Sequence, residues 1–260
     1  MRLLLLGSLV AMSACGSSSA DNESSKASQC PDESTKGSLV VLAASSMAPA
    51  LTDSHEQFLS EHPCVTNVAY SYGSSATLAA QIVNGSPADV FISASEKTMN
   101  TVVNTGRTVS STLFARNTGG IMVNPNSKYD SQITNVASLA DAVNEGIKVG
   151  LCVSTAPCGA LADSILEKAG ISRTAIADTE SPSVEDLVSK IEMGELDAGI
   201  VFHSDCVSSQ CITIPSDMNA TTSYFVAALN SRAASQQFAD FVSSSSFTGI
   251  LQSKFGFLAP

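Results

Sequence analysis

The 260-residue sequence contains no tryptophan, and aromatic residues make up only 5% of it. Basic residues are also few, because 13 Lys and Arg stand against 24 Asp and Glu, for a formal net charge of −11. A chain this acidic offers no basic patch to nucleic acid or to an anionic lipid surface. We therefore expect no nucleic-acid partner.

Two catalytic signatures are also missing. No GxGxxG motif follows the first apolar run, which argues against a dinucleotide site, and no GxSxG nucleophile elbow occurs. A serine nucleophile needs a base, and the chain has only three histidines, His55, His62 and His203. We predict that the protein is not an enzyme and needs no cofactor. An exported hydrolase with Ser46 or Ser75 as its nucleophile is the alternative.

The N-terminus has the features of an export signal. Arg2 precedes the apolar run 3–12, which is too short to span a bilayer. Small residues then lead directly to Cys15, as in a bacterial lipobox, so residues 1–14 are predicted to be a lipoprotein signal peptide. The alternative is an ordinary secretory signal. Residues 15–37 are polar and are predicted to form a flexible tether. The protein would then be extracytoplasmic and lipid-anchored to the membrane.

Six further cysteines are present, an even number that favours disulfides in an exported chain. Sequence alone cannot choose among the pairings. Proximity along the chain favours Cys206 with Cys211 and Cys152 with Cys158, which leaves Cys30 with Cys64. The alternative is a metal site formed by His203, Cys206 and Cys211, although the CxxC spacing of structural zinc sites is absent.

Apolar runs alternate with helical patterns along the chain. In the first third, strands are predicted at 38–43, 65–72 and 88–92, with helices at 49–59 and 75–83. This β-α-β-α-β order predicts a parallel sheet. A second α/β block follows, in which short strands are predicted at 112–116, 120–123, 147–152 and 198–202 and helices at 138–144, 157–168 and 183–193. A strand at 224–229 and helices at 235–242 and 247–254 close the chain.

Four loops at the carboxyl ends of these strands open helices with small or hydroxyl residues. They are Ser45-Ser46, Ser74-Ser75, 156–159 and 181–184. Loops at this edge of a parallel sheet form its binding crevice, and helix N-termini bind anions through unpaired N–H groups. Taken singly, each serine is most simply a helix cap. The doubling allows one serine to cap and its neighbour to face the crevice.

Three stretches, "VVLAASSMAPAL", "YGSSATLAAQIVNGSPADVFISAS" and "GELDAGIVFHSD", resemble the substrate-binding proteins of bacterial molybdate ABC transporters. The resemblance runs in order through residues 38–260. It implies an α/β, two-lobed periplasmic-binding-protein fold of the second type, with parallel-sheet lobes joined by a two-crossing hinge. It also implies that the protein binds molybdate or tungstate and delivers it to ABC transporter permease subunits, acting as a monomer.

Carried over position by position, the family's oxyanion ligands fall on Ser46, Ser75, Cys158, Val184 and Phe202. The first four would hold molybdenum as its oxyanion through hydroxyl and backbone N–H groups. Phe202 departs from the family pattern, which often has a tyrosine hydroxyl there. The lost bond could weaken binding by ~1.5–3 kcal/mol unless another donor replaces it. Ser45, Ser74 or Ser154 is the expected replacement.

The same resemblance implies where the lobes divide. The first lobe would comprise residues 38–116 and 224–260, and the second would comprise 117–223. Crossings near Arg116 and Ser223 would act as the hinge. Two alternatives remain besides the hydrolase: a receptor for sulfate, thiosulfate or phosphate, and a structural lipoprotein with a degenerate site.

Overall fold

A computed structural model describes residues 30, 32–106, 108, 111–206 and 211–260. The predicted signal peptide, Cys15 and most of the predicted tether therefore lie outside the described residues. The end of that tether segment is attached to the folded part, because Cys30 is buried and forms a disulfide with Cys64. Within the described ranges, no helix combines the length and the apolar character needed to cross a bilayer.

The described residues form nine strands and eleven α-helices. The strands are β1 (Gly37–Ala44), β2 (Val65–Gly73), β3 (Val90–Ser93), β4 (Thr112–Val123), β5 (Val149–Cys152), β6 (Thr179–Ser181), β7 (Ala198–Phe202), β8 (Cys211–Thr213) and β9 (Thr221–Ala228). The helices are α1 (Ala48–Asp53), α2 (His55–Glu61), α3 (Ser75–Val83), α4 (Glu96–Val103), α5 (Val136–Val143), α6 (Pro157–Ala169), α7 (Arg173–Ile176), α8 (Val184–Glu192), α9 (His203–Cys206), α10 (Ala233–Ser243) and α11 (Ser245–Phe255). Two single-turn 3₁₀ helices, Glu33–Thr35 and Ser45–Met47, flank β1.

The strands follow the order β2-β1-β3-β9-β4-β7-β5-β6, and β8 also pairs with β4. Strands β1, β2 and β3 are parallel to one another, and so are β5, β6 and β7. The two long strands β4 and β9 pair antiparallel with these groups and with each other. The fold is thus α/β with two parallel centres joined by antiparallel strands, as the sequence predicted for the fold class.

Strand β4 belongs to both halves of this arrangement. Its first part pairs with β9, where Arg116 lies opposite Ser223, and its second part pairs with β7. The two predicted crossings are therefore neighbours in one antiparallel ladder. The assignment of residues to two lobes that move about this ladder stays a prediction.

The sequence pattern predicted a break at Asn117-Thr118-Gly119, yet β4 runs through it without interruption. Two features explain the continuity. The Asn219 side chain accepts from the Gly119 N–H and donates to its carbonyl, both at 2.9 Å, so this backbone is paired. A Cβ at Gly119 would lie 2.3 Å from Ile165, so the missing side chain lets α6 pack directly on the strand. Gly119 therefore allows close packing of α6 on the strand and does not form a turn.

The helix predicted at 49–59 is instead two helices that meet at Ser54. Ser54 leaves the helical conformation, with φ −99° and ψ 4°. Leu51 on α1 and Phe58 on α2 are both fully buried. Other elements match their predictions closely: α3 spans Ser75–Val83 and β7 spans Ala198–Phe202, and Gly170 ends α6 at φ 68°.

Candidate ligand-binding site

One small cavity lies where the carboxyl ends of the parallel strands from both halves of the fold meet. The loops after β1 and β2 contribute from one half, and those after β5 and β6 contribute from the other, together with the last residue of β7. Of the eight residues predicted to bind or to support the ligand, all but Ser154 line this cavity: Ser45, Ser46, Ser74, Ser75, Cys158, Val184 and Phe202. Ala44, Gly73, Ala94 and Pro157 complete the wall.

The cavity is small and its lining carries no charged side chain. Its volume is about 10 Å³. A single water needs roughly 10–15 Å³ on this measure, whereas pockets for organic ligands are ~300–1,000 Å³. A cavity of this size therefore has no room for an organic ligand, and a small ion bound there would lie against the lining residues. Any charge on that ion would be met by dipoles and hydroxyl groups.

Ser75 is the first residue of α3 and is only 1% exposed. Its Oγ accepts a 3.0 Å hydrogen bond from the backbone N–H of Ala94, at the end of β3. Because a backbone N–H can only donate, this bond leaves the Ser75 hydroxyl proton free for another acceptor. Ser75 therefore offers a hydroxyl donor at a helix N-terminus, where an anion is favoured.

Ser46 lies in the 3₁₀ turn directly after β1 and is buried. Its Oγ is 2.8 Å from the hydroxyl oxygen of Tyr224, on strand β9. Tyr224 is fully buried, and burial, followed by the nearby Asp205, raises the pKa of its hydroxyl well above the ordinary range. The tyrosine is therefore a neutral hydroxyl at any physiological pH.

The helices that open at the cavity are mostly not capped by side chains. Ser74 occupies the N-cap position of α3 but its side chain makes no capping hydrogen bond, and Ala156 before α6 has no polar side chain. Only Ser183 before α8 caps in the ordinary way, by accepting from the N–H of Asp186 at 3.3 Å. The interpretation of Ser74 as a simple cap is therefore wrong. Helix-terminal N–H groups that no side chain caps can bind an anion.

The start of α6 is held rigidly against the end of β5. Pro157, the first helical residue, has no N–H, so Cys158 provides the first backbone donor of the helix. A disulfide ties Cys158 to Cys152, and the Arg173 guanidinium donates to the Cys152 carbonyl. At Gly159, a Cβ would lie 2.0 Å from the Val153 carbonyl oxygen. The donor of Cys158 is thus fixed by covalent and steric constraints.

Phe202 ends β7 at the cavity wall and is 2% exposed. Its ring meets the Tyr224 ring edge-on, with centroids 6.0 Å apart. The phenyl group offers no donor. Of the expected replacements, Ser45 and Ser74 line the cavity, whereas Ser154 lines a separate groove between α3 and α6.

Two buried residues behind the cavity were missed by the sequence analysis. Asn117 and Tyr224 were noticed only as residues near the predicted crossings. Their side chains lie 3.5 Å apart, and the Asn117 amide also donates to Ser204 at 2.7 Å. Both residues lie beside other polar residues in their strands, so the sequence held no signal that these two would be buried and meet.

The structure contains the three disulfides that the sequence favoured, Cys30–Cys64, Cys152–Cys158 and Cys206–Cys211. The three residues of the alternative metal site do lie close together, since the ligand atoms of His203, Cys206 and Cys211 are within 4.8 Å of one another. However, the two sulfurs are bonded to each other, so neither is a thiolate that could bind a metal.

The hydrolase alternative lacks a base. His55 faces Tyr70 at 3.4 Å, His62 packs on the Phe58 ring, and His203 lies 3.6 Å from the Cys211 sulfur. None of the three lines the cavity that contains Ser46 and Ser75. The two serines are consequently placed to donate hydrogen bonds and have no histidine to activate them as nucleophiles.

A two-centred α/β fold with a small, uncharged, donor-lined cavity between the centres defines a solute-binding protein. Comparison with known proteins supports this class. A family model described as bacterial extracellular solute-binding protein matches residues 39–258. The chain is 32% identical to the molybdate-binding protein ModA of Mycobacterium tuberculosis over 270 residues, which covers 99% of this chain and 95% of the relative. It is 31% identical to Escherichia coli ModA over 205 residues, or 74% and 77% of the two chains.

Solved structures share the fold. A periplasmic molybdate-binding protein of Azotobacter vinelandii superposes with a TM-score of 0.75 at 22% identity, covering 85% of this chain and 99% of the other. The sulfate-binding protein SubI of M. tuberculosis gives a TM-score of 0.70 at 16% identity, with 85% and 86% coverage. The chain belongs to the ModA-like members of the bacterial extracellular solute-binding protein family. This family consists of binding proteins, so the prediction that the protein is not an enzyme is confirmed.

Proposed function

We propose that this protein captures molybdate, or its near-isostere tungstate, outside the cytoplasm and delivers it to an ABC importer. The observation that carries the proposal is the uncharged cavity in which Ser46 and Ser75 meet the starts of α6 and α8. The names of the two ModA relatives support the choice of oxyanion. The binding ligands would be Ser46, Ser75, Cys158 and Val184, with Phe202 as an apolar wall.

Binding would rest on fixed dipoles instead of cationic side chains. Both serine hydroxyls and the first N–H groups of α6 and α8 donate, and a dianion accepts from all of them. A protonated oxyanion would place its own O–H against one of these donors, so the site would reject it. Because the donors within each proposed lobe are held by the fold before the ligand arrives, little local ordering is needed on binding.

Ligand binding would be coupled to closure. Ser46 and Ser75 belong to the proposed first lobe, and Cys158, Val184 and Phe202 belong to the proposed second lobe. A ligand that bonds to both lobes favours the closed form, which the permease subunits would recognise. Lipid attachment at Cys15 would hold the monomeric protein beside its transporter.

A calorimetric and thermal-shift titration tests the proposal. The chain without its first 15 residues would be titrated with molybdate, tungstate, sulfate and phosphate. A ligand at about 100 times its Kd should stabilise the protein by ~2.7 kcal/mol. Stabilisation by molybdate and tungstate alone is expected. A response only to sulfate or phosphate would reassign the ligand, and no response to any of the four would reject the proposed function.

Two substitutions test the site itself. Ser46→Ala and Ser75→Ala each remove one hydrogen bond to a charged ligand, which is worth ~1.5–3 kcal/mol, or about 10–150-fold in Kd. Ser243→Ala is the matched control, because that hydroxyl donates to the Ala239 carbonyl within α10. Its molybdate affinity should equal that of the wild type. Unchanged affinity in both Ser46→Ala and Ser75→Ala would show that the cavity is not the binding site.

A further inference from the structure

We propose that Tyr224 is a positioning residue that turns the Ser46 hydroxyl proton toward the ligand, as the middle member of a directed chain of donors that begins at Asn117. This inference rests on the proposed function, because it concerns how Ser46 would bind the proposed ligand. Tyr224 itself does not line the cavity. Three side chains carry it, and their hydrogen bonds fix the direction of the chain.

The direction is set at Asn117, which is fully buried on β4. Its Oδ1 accepts a 2.9 Å bond from the backbone N–H of Thr118, so the other branch of the amide is the Nδ2 group. That group faces the Tyr224 hydroxyl at 3.5 Å and the Ser204 hydroxyl at 2.7 Å. An amide NH₂ can donate two bonds and accepts none. Tyr224 must therefore be the acceptor in its contact with Asn117.

Tyr224 passes this direction on to Ser46. With its oxygen accepting from Asn117, the tyrosine has one proton to donate, and the Ser46 Oγ lies 2.8 Å away. The ring is held in place by edge-on contacts with Phe257, Phe202 and Phe114, at centroid distances of 5.1, 6.0 and 6.3 Å. Since the raised pKa of Tyr224 keeps its proton in place, the hydroxyl remains a donor.

Ser46 can then donate its own hydroxyl proton to a ligand in the cavity. The opposite direction, in which Ser46 donates to Tyr224, would present a serine lone pair to an incoming anion and repel it. Ser75 is directed in the same way by a different donor, the Ala94 N–H. Both serines of the proposed first lobe therefore have an oxygen that accepts from the protein and a proton free for the ligand. Linked bonds of this kind also strengthen one another.

A double-mutant cycle tests the role of Tyr224. Molybdate Kd would be measured by calorimetry for wild type, Tyr224→Phe, Ser46→Ala and the double variant, each without residues 1–15. Tyr224→Phe keeps the ring and its packing. It should weaken binding about tenfold or more in the wild-type background, because Ser46 loses its fixed direction. In the Ser46→Ala background, the same change should alter Kd by less than about twofold.

Tyr129→Phe is the matched control, because Tyr129 is also a buried tyrosine, with its hydroxyl donating to the Glu145 carbonyl at 2.6 Å, but it does not line the cavity. Its unliganded melting temperature should fall by an amount similar to that of Tyr224→Phe while its molybdate affinity stays unchanged. A merely structural Tyr224 would weaken binding equally in both Ser46 backgrounds, and that result overturns the inference. The inference is also overturned if Tyr224→Phe binds molybdate as tightly as the wild type. A wild-type protein that binds none of the four oxyanions instead overturns the proposed function, and the role of Tyr224 with it.

Discussion

Replacing Gly159 with alanine should damage both stability and binding, although alanine is ordinarily the better helix former. Gly159 is the third residue of α6, directly after the Cys158 donor. An added Cβ would lie 2.0 Å from the Val153 carbonyl oxygen and 2.7 Å from that of Cys152. These are backbone atoms at the end of β5, so they cannot rotate away as the tip of a side chain would.

The magnitude follows from this geometry. To reach even 3.0 Å from the Val153 oxygen, the start of α6 must move by roughly 1 Å relative to β5. Overpacking of this kind costs about 1–3 kcal/mol. A hydrogen bond of 2.9 Å that lengthens by ~1 Å is lost. If the moving group is the Cys158 N–H, the ligand loses one charge-assisted bond, which corresponds to about 10–150-fold in Kd.

Gly249→Ala is the matched control. Gly249 lies in the middle of α11, and a Cβ there would meet nothing within 4 Å. The same substitution should therefore stabilise the protein, by up to ~1 kcal/mol, and leave the molybdate affinity unchanged. Urea unfolding gives the two stabilities and calorimetry gives the two affinities. The reasoning is refuted if Gly159→Ala is as stable as wild type and binds as tightly, or if both variants lose stability equally.

Two further predictions concern groups near the site. Burial raises the pKa of the Asp205 carboxyl to about 8, and one of its oxygens is buried with no hydrogen-bond partner among the described residues. The neutral form is favoured in the folded state, so its contribution to stability should be lost as the pH rises from about 4 through 8. Melting temperatures of Asp205→Asn should fall less over this range than those of wild type, and parallel curves would contradict the assignment. Replacing Cys152 and Cys158 together with serine opens a loop of sequence separation 6 and should cost about 2 kcal/mol. This corresponds to a melting temperature about 4–8 °C lower, together with weaker molybdate binding, and an unchanged affinity would show that the disulfide does not hold the Cys158 donor.

The sequence was most informative where local chemistry decides the structure. The run before Asn84-Gly85 predicted α3 from Ser75 to Val83, and Gly170 marked the end of α6. The serine pairs after two apolar strands indicated where the chain would leave the sheet and open a helix. Each of these signals depends on a few consecutive residues, so it can be recognised without knowing the fold.

Predictions failed where distant segments meet. Asn117-Thr118-Gly119 was interpreted as a break between two strands, but β4 is continuous there, because Gly119 is paired with Asn219 and packed on Ile165. The helix at 49–59 was predicted as continuous, but it is interrupted at Ser54, and the buried Phe58 after the interruption packs on Phe238 and Phe241. In both places the partner residues are far away in the sequence, so no local pattern could indicate them.

The sequence by itself determined that two α/β units alternate strands and helices and that hydroxyl-bearing loops lie at the carboxyl ends of their strands. It also showed that none of those loops contains a charged residue. Both properties can be read from short stretches of consecutive residues. Only the tertiary structure decided that these four loops and the end of β7 meet around a single cavity of about 10 Å³. It alone brought the Tyr224 hydroxyl to Ser46 and the Ala94 N–H to Ser75, because these partners come from other parts of the chain. The direction of a hydroxyl proton depends on which donor faces its oxygen, and that donor is chosen by packing between segments up to 178 residues apart.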